Sequence, residues 1–161
     1  MTLRLKERES AAVSASVAAG CKPCTDYHVK AAPEAKLDGH EIRQAINDAV
    51  GVRQDALEVM KAYGLQHLGE GVDPPGDHGG ESTRIKELVA VAAAFAVNCT
   101  TNLERHLAAA RTLGITDDEI DEVTKLATFI KDKAASHVEK MVAVEKHGEL
   151  AHPAPDGNRS A

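Results

Sequence analysis

Apolar side chains recur along most of this chain at the three- and four-residue spacing of amphipathic helices, not at the alternation of strands. A first helix is predicted over about residues 5–19. Gly20 and Pro23 interrupt it, and a second helix is predicted from residue 22 or 23 to about residue 32. Proline is tolerated in a first turn, where its missing N–H has no helical partner. A third helix begins at Asp38-Gly-His-Glu41, where a capping side chain is followed three residues later by glutamate. Ile42, Ala45, Ile46, Ala49, Val52 and Ala56 then form an apolar stripe, and this helix is expected to end near Ala62.

The same pattern returns 78 residues later. At that offset Glu9 falls on Glu87, Cys21 on Cys99, His28 on His106, and Glu41-Ile42 on Glu119-Ile120. The apolar positions agree between these anchors. Val13 meets Val91, Val17 meets Phe95, Ala31-Ala32 meet Ala109-Ala110, and Ala49 meets Ala127. This reads as a duplicated unit. The copies of the three helices are predicted over about residues 83–97, 100–113 and 116–146. Gly114 closes the middle one, and Ile120, Val123, Ala127, Ile130 and Ala134 form the last stripe. The expected fold is all-α, two tandem three-helix units: residues 1–63 and 83–148. Residues 64–82 hold five glycines after the first residue and two prolines, and are expected to link the units. Residues 149–161 are expected to form a disordered tail.

Composition supports helices packed through small side chains. Apolar residues make up 43% of the 161 positions, yet the aromatic ones are only Tyr27, Tyr63, Phe95 and Phe129. The net charge of −6 argues against nucleic acid and anionic membrane surfaces as partners. The charged start has no apolar signal core, and the longest apolar run, residues 88–97, is too short to span a bilayer. A soluble, cytoplasmic protein is expected.

Chemistry concentrates at Cys21-Lys-Pro-Cys24. In a reducing compartment this spacing points to redox chemistry or metal binding. Cys21 stands at the start of the second helix, where unpaired N–H groups and the helix dipole favour a thiolate. Two cysteines so spaced can close a disulfide. His28 shares a helix face with Cys24 and can move a proton near neutral pH. Glu9, on the preceding helix, is placed to orient His28 or hold a water.

Glu-x11-Cys-x2-Cys-x3-His in an Ala-rich helical chain resembles the alkyl hydroperoxidase D branch of the carboxymuconolactone decarboxylase family. The flanking Ala-Ala-x-Cys-Lys-Pro-Cys-x-x-Tyr-His and the Glu-Ile after the turn share that resemblance, which spans about residues 5–145. It implies a thiol-dependent peroxidase or disulfide oxidoreductase. Peroxide would oxidise Cys24 to a sulfenic acid, Cys21 would close the disulfide, and Glu9 and His28 would relay protons. A dithiol reductant, a lipoyl protein or a thioredoxin-like protein, would restore the thiols. It also implies assembly as a homo-oligomer, a trimer of duplicated chains, with no cofactor. The second unit departs from the motif: Asn102 stands where the second cysteine would be, beside Cys99.

Rival readings are a carboxymuconolactone decarboxylase-like lyase and a non-enzymatic redox-sensing or metal-binding helical protein. The dithiol argues against the lyase, which needs a base and carboxylate-binding cations. Zinc on Cys21, Cys24 and His28 lacks a fourth protein ligand, so no metal is expected. Cys99 reads as a small buried core residue, whereas the pairing of Glu9 with Glu87 suggests that both glutamates are buried and bonded. His40, His67, His78, His137, His147 and His152 stand at no ligand spacing, and nothing in the sequence requires Asp77 or His78 at the site.

Overall fold

The computed structural model describes residues 2–71 and 81–147. Among these residues six helices follow in order: α1 (Leu5–Ala18), α2 (Lys22–Ala31), α3 (Gly39–Gln66), α4 (Arg84–Ala96), α5 (Thr100–Thr112) and α6 (Asp117–His147). No strand occurs among the described residues. Residues 72–80 of the expected linker, Asp77 and His78 included, and the expected tail lie outside the described residues.

Helices α1 and α4 lie against each other at the centre of the molecule, and α3 and α6 each pack against both of them. Close approach is possible because the facing side chains are small. Ala11, Ala12, Ala15 and Ala18 of α1 and Ala90, Ala92, Ala93 and Ala94 of α4 are all buried. Three serines of α1 are buried as well, and each of their hydroxyls has an acceptor. Ser14 donates to the Val89 carbonyl across the helix pair at 2.8 Å, Ser16 to Val13 O and Ser10 to Lys6 O. The larger apolar cluster draws on both units, from Leu3 and Ala11 to Val123 and Ile130.

Caps form where the sequence places them. Asp38 Oδ1 accepts the N–H of His40 and of Glu41 at 2.8 Å, and Glu41 returns a carboxylate to the Asp38 N–H at 3.0 Å. At α6 the Thr116 N–H donates to Glu119 Oε2 at 2.9 Å. The backbone repeats with the sequence: Gly20 (φ 69°) pairs with Asn98 (φ 60°), and Lys36 (φ 64°) with Gly114 (φ 74°).

Two helix ends carry information. Helix α2 stops at Ala31, three residues shorter than α5, because Pro33 stands where the copy has Arg111 and has no N–H to carry the helical ladder on to Val29. Helix α3 runs on past Ala62 and takes in Gly64. A single interior glycine costs only about 1 kcal/mol, and the chain leaves the helix later, near Gly69 (φ 77°). Among the described residues no helix is long and apolar enough to cross a membrane.

Candidate functional site

The site is built at the joint between α1 and α2. Gly20 turns the chain with a positive φ and lies under the Arg53 guanidinium, which donates to the Ala18 carbonyl at 2.8 Å. A side chain at position 20 would place its Cβ 3.0 Å from Arg53 Nη1, a flexible end that can shift, so it is the positive φ of the turn that favours glycine. The turn delivers Cys21 to the N-cap of α2. Its Sγ accepts the backbone N–H of Cys24 at 3.3 Å, and the Pro at the helix start removes a donor that would have no acceptor.

Cys21 and Cys24, with Cα atoms 5.3 Å apart, are joined in a disulfide, and both are buried. One turn further along α2, His28 Nδ1 lies 2.8 Å from Glu9 Oε1 on α1. An ionised carboxylate only accepts, so Nδ1 carries the proton and Nε2 is the nitrogen left for proton exchange. The Tyr27 ring stands edge-on to the imidazole with centroids 5.0 Å apart. Glu9 and His28 border an open cavity whose far wall, on α6, sets Leu126 and Phe129 beside the charged Glu122 and Lys125.

The second unit keeps half of this arrangement. His106 Nδ1 lies 2.8 Å from Glu87 Oε2, and Ser82 Oγ donates to the other oxygen of Glu87 at 2.5 Å. Cys99 is a free, buried thiol. Asn102 is absorbed into the structure: Nδ2 donates to the Val52 carbonyl at 3.2 Å, and Oδ1 accepts from Arg105, which also pairs with Asp55 at 3.0 Å. The unit holds an imidazole–carboxylate pair with no dithiol beside it.

Two sequence-based readings need correction. The histidine beside the cysteines is His137, for which ligand spacing gave no role. Its Nδ1 lies 3.4 Å from Cys21 Sγ. The donor atoms of Cys21, Cys24 and His137 all lie within 4.8 Å of one another, whereas His28, considered as a third zinc ligand, is held by Glu9. No local pattern announces His137. It comes from α6, and the repeat offers no hint, since Val59 occupies the corresponding place. The second correction concerns burial. Glu87 is buried as expected, but Glu9 is only partly so. Both glutamates border a cavity with their histidine, but Glu87 is also capped by the Ser82 hydroxyl.

The model of the carboxymuconolactone decarboxylase family matches residues 2–65 and, a second time, residues 62–141. No curated protein and no solved structure matches the chain.

Proposed function

Since the chain belongs to the carboxymuconolactone decarboxylase family, we propose that it is a thiol-dependent peroxidase or disulfide oxidoreductase of the alkyl hydroperoxidase D type. The observation that carries this reading is the Cys21–Cys24 pair at the start of α2, with the Glu9–His28 pair one turn along the same helix.

The reaction divides into three balanced steps. The Cys24 thiolate attacks the terminal oxygen of a hydroperoxide, the O–O bond breaks, and the leaving alkoxide takes a proton to become an alcohol. Cys24 is then a sulfenic acid. The Cys21 thiol displaces its hydroxyl as water and the disulfide closes. A dithiol reductant, lipoyl or thioredoxin-like, then attacks the disulfide, leaves as its own disulfide and returns two thiols. His28 supplies and removes the protons from Nε2, and Glu9 holds the ring in the tautomer that permits it. Glu9 therefore acts as a positioning residue.

With a saturating dithiol, purified protein is expected to consume hydroperoxide steadily. Mass spectrometry after mild peroxide is expected to show Cys21 and Cys24 blocked to alkylation and Cys99 still alkylatable after unfolding. Glu9→Gln should lower turnover roughly a hundredfold with KM little changed, because the amide no longer fixes the tautomer of the ring. Two alkylatable site cysteines after peroxide, or no consumption of any peroxide, would remove this reading.

The reading extends to assembly. Leu57, Met60 and Tyr63 of α3 and Val144 of α6 are each more than half exposed, on the two longest helices and outside the cavities that the site residues border. Apolar side chains gathered this way need a partner. The expected assembly is a trimer of duplicated chains through α3 and α6. Light scattering at micromolar concentration should give three chain masses, and a monomer would refute it.

A further inference from the structure

His137 is left over by the redox cycle. It approaches the dithiol from the opposite unit, 116 residues from Cys21 in sequence, and brings a third soft-metal donor to a pair that already supplies two. We propose that the reduced protein binds one zinc-class divalent ion through Cys21 Sγ, Cys24 Sγ and His137, with the fourth position open.

Geometry supports the donor set. With Zn–S of about 2.3 Å and Zn–N of 2.0–2.1 Å at a tetrahedral angle, neighbouring sulfur and nitrogen ligands stand about 3.5 Å apart. Cys21 Sγ and His137 Nδ1 are 3.4 Å apart already. The two sulfurs, bonded to each other in the oxidised state, need only rotate about their side chains to open around an ion. The site also faces outward. Cys21 and His137 line an open cleft of about 600 Å³, walled by Pro23, Ala134 and Val138. Water or a small thiol can reach the fourth position there, as in three-ligand zinc sites.

Occupancy and oxidation exclude each other. Binding releases the two thiol protons and gives a neutral zinc dithiolate. A hydroperoxide that takes two electrons from that dithiolate, with two protons, yields the disulfide, an alcohol, water and the free ion. Each sulfur then shares its bonding pair with the other and loses its affinity for the metal. The ion would shield the dithiol from stray oxidation, and peroxide would expel it. The binding half of this inference stands without any peroxidase activity; the release half rests on the function proposed above.

Zinc itself is the probe. Protein reduced anaerobically, stripped with a chelator and desalted should take up one zinc per chain in competition with a chromophoric chelator. The disulfide form should take up none. His137→Ala should weaken binding at least tenfold with the helical circular dichroism unchanged, whereas His28→Ala should leave it as tight as in the parent. Cobalt(II) in the reduced parent protein should show the intense visible bands of a tetrahedral thiolate site, a measurement that needs no variant. Failure of the reduced protein to retain zinc, an octahedral cobalt spectrum, or equal affinity in folded His137→Ala would overturn the site. Peroxide turnover without zinc uptake would leave the function standing and sink the metal site. Zinc uptake without turnover would do the reverse.

Discussion

Cys24→Ser is expected to reduce peroxide turnover to background, a loss of at least a thousandfold, while Cys99→Ser keeps most of it. The reason is chemical. A sulfenic acid formed on one cysteine must be resolved by a second sulfur, and a serine hydroxyl neither attacks peroxide at neutral pH nor closes a disulfide. The first unit holds both sulfurs within bonding reach. The second unit has Cys99 only, buried and unpaired, and the position equivalent to Cys24 is Asn102, already committed to Val52 and Arg105. An amide cannot resolve a sulfenic acid by disulfide formation. Steady-state peroxide consumption by both variants, with circular dichroism to confirm folding, decides between one site and two. Equal losses in the two variants would show that Cys99 takes part in the cycle and that one dithiol is not enough.

Arg84→Met is expected to destabilise the fold by about 3 kcal/mol, the low end of the range for breaking a buried ion pair, since the guanidinium side is 28% exposed. Arg84 lies between two carboxylates, Glu7 at 2.7 Å and Glu119 at 2.5 Å, each with a side chain only 5% exposed. Methionine would leave Glu119 buried without its cation and Glu7 with only Arg4, 4.0 Å away. The repeat supplies the control. Lys6 occupies the equivalent position and pairs with Glu41 at 2.5 Å, but both side chains are about a third exposed. Lys6→Met should therefore cost no more than about 1 kcal/mol. Urea unfolding of the two variants measures the contrast, and equal losses would show that burial does not set the worth of these pairs.

A pH dependence follows from the same cluster. The Thr116 backbone N–H and the Arg84 guanidinium hold the Glu119 carboxyl below its usual range, against the opposing pull of burial. A carboxyl whose pKa is lower in the folded than in the unfolded state stabilises the fold above its unfolded pKa. That contribution fades as the pH falls through the folded value. Stability should thus decline below about pH 4, and Glu119→Gln should flatten that decline while lowering stability at neutral pH.

Much of this protein was legible without coordinates, and the legible part is local. Apolar spacing, the Asp38–Glu41 and Thr116–Glu119 boxes, and the break at Gly20 act through bonds between residues a few positions apart, so the sequence by itself determined the six helices. The duplication was legible too, because equivalent positions feel equivalent surroundings: the Glu–His pair and the positive-φ residues recur at the same offset. The distance from Glu9 to His28 was not local, and it was reached through resemblance and repetition. The helix end past Gly64 escaped, since one glycine weakens a long packed helix without ending it.

Tertiary structure alone decided what meets across the two units. Packing α1 on α4 sets Arg84 between Glu7 and Glu119, and the length of α6 carries His137 back over the mouth of α2. The Arg84–Glu119 half recurs as Lys6–Glu41, but the Glu7 and His137 contacts have no repeated counterpart: Ile85 stands where a second Glu7 would be, and Val59 where a second His137 would be. A contact made once, between residues far apart in the chain, leaves no period and no spacing in the sequence. It exists only when two helices pack at one angle and one register.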